Sequence, residues 1–157
     1  MQRVGFGFDV HPFGEGRRLI LGGEQIDHPL GLVGHSDADV LTHALCDALL
    51  GAAALGDIGQ HFPPDDPQYK DISSLRLLEQ VVRLLQHHHW RLVNADLTLV
   101  LEKPRIAPYS DKIRANLATA MQTSVDVISL KATTTEGLGF TGQGEGIAAM
   151  AVVLVEQ

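Results

Sequence analysis

The sequence predicts an α+β fold, a mixed β-sheet with helices packed on one face. Three observations predict it. Stretches of strand and helix character follow one another in the order β, ββ, α, α, β, α, β, β. The longest helical stretch carries Val40, Leu41, Ala44, Leu45, Ala48 and Leu49 at helical spacing. A chain of 157 residues with 45% apolar content is enough for a single domain, 1–157, around one core.

The elements follow in order. Residues 2–11 read as a strand with glycines at 5 and 7. "LILGG" (19–23) and the following "EQIDHP" read as a short hairpin. Residues 36–56 read as a helix capped by Ser36 or Asp37 and ended by Gly56. The polar, proline-rich stretch 57–71 reads as a loop of the kind that often carries function. A second helix spans 73–89, and a strand from Arg91 stops at Pro104. A third helix spans 107–122. Two strands, 127–134 and 146–156, flank the glycine-rich "TEGLGFTGQGEG". The last strand is apolar on nearly every residue. That predicts burial on both faces, by helices on one side and by another subunit on the other.

The formal net charge is −7, with no block of Lys or Arg. Nucleic acid and anionic membrane surfaces both demand a basic footprint, so neither is expected as a partner. A phosphate-binding role would have to rest on metal ions, backbone N–H groups or helix N-termini. The one cysteine, Cys46, allows no internal disulfide and reads as a buried core residue. The chain starts directly on a strand and has no apolar run long enough to span a bilayer. The expected location is therefore cytoplasmic.

Asp9 and His11, two residues apart on a strand, should share a face. His43 lies mid-helix on a turn with Asp39 and Asp47. The segment 35–47 holds His35, Asp37, Asp39, His43 and Asp47 with no lysine or arginine, which favours a cation nearby. Joining Asp9, His11 and His43 gives an Asp–His–His ligand set of the type zinc prefers, with the fourth position open. Asp47 or a backbone carbonyl would orient an imidazole from behind. A solvated helix face with a few salt links is the bland alternative. "HHHW" (87–90) looks like a metal tract, but consecutive helical residues point about 100° apart and cannot converge on one ion. "GLGFTGQG" matches G-x-G-x-x-G, yet a β-type run follows it instead of a helix, so a dinucleotide fold is not expected.

Taken together, "GFDVHPF", "GHSDADVLTHALCDALLGAAALGDIGQHFPPDDP" and "KATTTEGLGFTGQGEGIA" closely resemble the 2-C-methyl-D-erythritol 2,4-cyclodiphosphate synthases, over nearly the whole chain. The family belongs to the methylerythritol phosphate route to isoprenoid precursors. The resemblance implies a zinc site at Asp9, His11 and His43, the trio that the spacing proposes. It implies a second divalent cation, Mg²⁺ or Mn²⁺, held by Glu136 and substrate phosphates. His35 and Thr134 match positions that stabilise the transition state. Ser36, the turn Asp57, Ile58, Gly59 and the loop Phe62, Pro63, Pro64, Asp65, Asp66 match the part that closes over the methylerythritol phosphate, and Asp9, His11 and His35 match further substrate contacts. The cytidine pocket matches Leu101, Pro104, Arg105, Ile106 and Ala107, together with Thr133, Thr134 and Thr135. Phe140 and Gln143 complete the implied substrate contacts beside Glu136.

The family is a homotrimer with active sites between adjacent subunits. Its substrate is a cytidine diphosphate ester whose 2-phosphate attacks the β-phosphorus and expels CMP. Two departures stand out: Gln143 replaces a common arginine before the last "GEG", and Arg105 replaces a common lysine. The first removes a positive charge linked to binding isoprenoid diphosphates or substrate phosphate near the trimer axis. Two rival readings use the same residues. One is a zinc phosphohydrolase that releases inorganic phosphate. The other is a non-catalytic trimeric metal-binding protein with a closed four-ligand site.

Overall fold

The structure, a computed structural model, describes residues 1–157. It contains the strands β1 (Gln2–Gly14), β2 (Leu19–Leu21), β3 (Glu24–Ile26), β4 (Gly31–Leu32), β5 (Arg91–Val100), β6 (Ile128–Thr133) and β7 (Gly146–Glu156). The helices are α1 (Val40–Ala52), α2 (Ile58–His61), α3 (Ser74–His87), α4 (Ser110–Met121) and α5 (Gly139–Gly142). Five strands form one sheet in the order β4-β1-β7-β5-β6, and β2 and β3 form a separate hairpin. β7 pairs antiparallel with β1 and β5, while β5 and β6 run parallel. The sheet is therefore mixed, and α4 supplies the crossover that a parallel pair needs. The α+β expectation holds.

Helices cover one face only. On β7, Ile147, Ala149, Ala151, Val153 and Val155 are buried toward them. Two of the alternate residues are open: Met150 is 37% and Val152 44% exposed. Their register partners on β1 continue the stripe, with Phe6 opposite Val152 and Phe8 opposite Met150. Phe6 is 61%, Phe8 51% and Val4 68% exposed. Within one chain, the expected burial of β7 on both faces is thus realised on one face.

The glycines of β1 explain how α1 sits so close. A Cβ on Gly5 would lie 1.9 Å from the Ala48 carbonyl oxygen, and one on Gly7 would lie 1.8 Å from that of Ala44. Only a residue without a side chain permits that approach. The small faces of α1, Ala44 and Ala48, meet it from the other side. One cluster of 36 buried residues joins α1, α3, α4 and the covered sheet face.

Several boundaries differ from expectation. α1 starts at Val40, capped by Asp39, because Ala38 adopts a left-handed backbone (φ 57) that no helix can run through. It ends at Ala52 rather than Gly56, since Ala54 is also left-handed (φ 59). α3 ends at His87, and left-handed His89 turns the chain toward β5. β5 ends at Val100; the Lys103–Pro104 peptide beyond it is cis. A 3-10 turn at Ala107–Tyr109 precedes α4. The loop 57–71 contains the one-turn α2, and the glycine-rich stretch contains the one-turn α5. β4 is a two-residue pairing with the end of β1, too short for any periodic signal. Cys46 is fully buried and free. No helix is long and apolar enough to cross a membrane.

Candidate metal centre and its cavity

Asp9 and His11 continue the line of Gly5 and Gly7, so they face α1. The close strand–helix contact then brings His43 down onto them. Asp9 Oδ2 lies 2.9 Å from His11 Nε2 and 3.2 Å from His43 Nδ1. The two ring nitrogens are 3.2 Å apart. Asp9, His11 and His43 are the one group of potential ligands in the chain whose donor atoms converge. His87, His88 and His89 do not converge either, although only His87 lies in α3 and His89 is left-handed.

The hydrogen bonds behind the rings fix what the trio presents. His11 Nδ1 donates to the Val33 carbonyl at 2.9 Å, so Nε2 carries the lone pair of the neutral ring. Ser74 Oγ donates to an Asp37 carboxylate oxygen, and must therefore accept from His43 Nε2, 2.8 Å away. Ser36 Oγ lies 3.1 Å from the same nitrogen. His43 Nδ1 is left with its lone pair. Two imidazole lone pairs and a carboxylate oxygen thus face one another with no donor between them. Only a proton or a cation reconciles them.

Burial raises the Asp9 carboxyl, but its close polar contacts and charge interactions with the His11 and His43 rings outweigh it and lower it to about 2. Burial lowers His11, and the Asp9 carboxylate outweighs that, so its imidazole is raised. A tetrahedral ion with bonds of about 2.0–2.1 Å needs ligand atoms about 3.3 Å apart. The triangle observed here is a few tenths of an ångström tighter, so the donor set fits such an ion.

The acids flanking His43 have other tasks. Asp39 is fully buried and accepts hydrogen bonds from the Gly22, Gly23 and Thr42 amides and the Thr42 hydroxyl. Asp47 accepts the Ile58 amide at 2.8 Å, so it anchors α2 rather than an imidazole. The backbone alternative, through Val33, is the one realised. Sequence reading missed Ser74 and Val33. Ser74 lies 31 residues from His43 and the carbonyl of Val33 has no side-chain signature.

A cavity of about 270 Å³ opens beside the trio. His35, Ser36, Ile58, Gly59, Phe62 and Pro64 line it, with Tyr69 and Leu77. His35 Nε2 lies 3.0 Å from the Asp66 carbonyl and donates to it, tying the 57–66 loop across the opening. Asp57 caps α2 and Asp66 caps the next turn. Pro63 and Asp65 are exposed at the loop tip.

Leu101, Pro104, Arg105, Ile106 and Ala107 line a second cavity of about 420 Å³ with Thr133 and Thr134. Glu102, which sequence reading did not single out, accepts the Thr135 and Gly137 amides and fastens the turn after β6. That turn places Glu136 in a left-handed conformation (φ 55). Phe140 is exposed on α5. Gln143 Nε2 donates to the Gly137 carbonyl at 2.9 Å, closing the glycine-rich loop on itself.

The chain does not bring Thr133, Thr134 or Arg105 into the cavity of the trio; the two cavities share no residue. The carboxyl ends of β1, β5 and β6 all point to one edge of the sheet. Between β1 and β6, however, stand β7 and β5, a separation of about 14 Å at ordinary strand spacing.

A half-buried Asp–His–His trio with one side open to a loop-covered cavity is the candidate metal site of a protein acting on a small molecule. Comparison with known proteins places it further: the chain belongs to the YgbB family, whose model matches residues 2–156. A protein of Syntrophomonas wolfei named 2-C-methyl-D-erythritol 2,4-cyclodiphosphate synthase is 61% identical over 155 residues, which span 99% of each chain. A solved synthase of that name in a CDP-bound form is 39% identical, with a TM-score of 0.89 over 98% of this chain and 100% of that one. The bifunctional IspDF of Campylobacter jejuni is 41% identical, with a TM-score of 0.95 over 99% of this chain. This chain spans 42% of that longer protein.

Proposed function

We infer that this chain converts 4-diphosphocytidyl-2-C-methyl-D-erythritol 2-phosphate to 2-C-methyl-D-erythritol 2,4-cyclodiphosphate and CMP. It is then a cyclising phosphorus–oxygen lyase of isoprenoid precursor biosynthesis, and residues 1–157 act as one domain. The observation that carries this reading is the donor-free Asp9–His11–His43 trio beside the loop-covered cavity, in a chain 61% identical to a protein of that name.

In this reading Asp9, His11 and His43 would hold Zn²⁺, and Glu136, with the substrate phosphates, would hold Mg²⁺ or Mn²⁺. Cations held there would supply charge neutralisation for the substrate phosphates. The chain's own residues do the positioning. The nucleophile is an ionised phosphate oxygen of the substrate, so no protein base is required. Ser36, Asp57–Gly59 and Phe62–Asp66 close over the methylerythritol phosphate and exclude water. Leu101, Pro104, Arg105, Ile106 and Ala107, with Thr133 to Thr135, hold the cytidine. Thr134, through its hydroxyl, and His35, through the loop that it ties at Asp66, stabilise the transition state as charge shifts toward CMP. Phe140 and Gln143 complete the substrate contacts. An oriented intramolecular attack removes up to about 7–11 kcal/mol of barrier.

The separation of the two cavities supports a site completed by a second copy. The open apolar stripe of Val4, Phe6, Phe8, Met150 and Val152 supports a homotrimer that buries it. The acidic composition supports a small-molecule partner in the cytoplasm over nucleic acid or membrane.

The test is phosphorus NMR of the purified protein with this substrate and Mg²⁺, beside a His43→Ala control. Equal amounts of CMP and cyclic diphosphate, absent in the control, are expected. Inorganic phosphate in their place would make the protein a hydrolase. No turnover, with zinc bound, would leave the metal a structural one.

A further inference from the structure

His11 and His43 are backed differently. His11 is held by a neutral carbonyl, whereas His43 leads through a buried hydroxyl to a carboxylate. Ser74 is fully buried, and its Oγ accepts from His43 Nε2 while donating to Asp37. Asp37 also accepts the Ser74 amide at 3.0 Å and the Asp39 amide at 3.1 Å. The relay therefore ties together the 36–39 loop, the first turn of α3 and the middle of α1. We propose that Asp37 and Ser74 are positioning residues for the metal: they fix the tautomer and orientation of His43 and make it the stronger imidazole donor of the trio.

This rests on the zinc reading of the trio, and its chemistry is direct. A hydroxyl that donates to a carboxylate becomes a better acceptor. The His43 N–H that it receives is polarised, and electron density moves toward Nδ1, the ligand atom. Outer partners of this kind raise ligand basicity and hold the ring in the metal-binding pose. A purely structural role is the competing explanation, because Asp37 caps α3 through the Ser74 amide. That role predicts changes in stability alone.

The test compares the wild-type protein with Ser74→Ala, Asp37→Asn and Ser74→Thr. Zinc affinity is read by competition with a chromophoric chelator, and ligand field by the visible bands of the cobalt-substituted proteins. Ser74→Ala is expected to weaken zinc by roughly 10–100-fold and shift the cobalt bands. Asp37→Asn should give a smaller loss in the same direction, and Ser74→Thr, which keeps the hydroxyl, should recover most of the affinity. Folded Ser74→Ala and Asp37→Asn proteins with wild-type zinc affinity and unshifted bands would overturn the relay, whatever their melting temperatures. Failure of the wild-type protein itself to bind one zinc would instead overturn the zinc reading, and the relay with it.

Discussion

Asp47 sits one helical turn beyond His43, half-buried, with its carboxylate on the Ile58 amide. Burial raises its carboxyl, and the charges of Asp57 and Asp9 add to the rise. A carboxyl raised in the folded state binds protons there that the unfolded chain has already released. Its contribution to stability therefore falls as pH rises from the unfolded value, about 3.9, through the raised folded value. Asp47→Asn keeps an acceptor for Ile58 and removes that charge. Urea titrations should show the variant gaining on the wild type as pH climbs through that window, with a constant gap above it. A gap independent of pH throughout would show that Asp47 carries no such strain. At this scale the trio was legible, because i, i+2 on a strand and one unopposed helical histidine are local patterns. Asp47, Ser74 and Val33 were not, because each acts through a backbone group or a partner far along the chain.

The contact between β1 and α1 builds the Asp–His–His site, and two glycines permit it. Gly7→Ala would drive a methyl group into the Ala44 carbonyl, so α1 must move away and carry His43 with it. The expected cost is about 1–3 kcal/mol of stability, with zinc affinity lost beside it, measured by thermal melting and chelator competition. Gly51→Ala on the same helix meets nothing within 4 Å and should stabilise by about 0.5–1 kcal/mol. Equal effects of the two substitutions would refute the close-approach explanation. The longer helices and strands were readable from periodicity. The start of α1 was not: Ser36, Asp37 and Asp39 are all good caps by type, and only the left-handed backbone at Ala38 selects the last. α2, α5 and β4 are shorter than any period that could reveal them.

Across the whole molecule, one face of the sheet is covered and one is open. Val4, Phe6, Phe8, Met150 and Val152 form a stripe that a water-exposed monomer would not favour, and the two cavities stand apart within the chain. If the proposed trimer forms through this stripe, Phe6→Asp should leave monomers in sedimentation velocity and abolish cyclisation, while the trio still binds zinc. Monomers with full activity would show that each chain is complete by itself. The apolar last strand suggested a partner face in the sequence; that one side of its later half faces helices and the other is open needed the register with β1 to become visible. The most direct measurement is a crystallographic anomalous difference map recorded at the zinc absorption edge. One peak per chain, about 2.0–2.2 Å from Asp9 Oδ2, His11 Nε2 and His43 Nδ1, is the predicted result. A peak at His87–His89, or none at the trio in zinc-loaded protein, would contradict it.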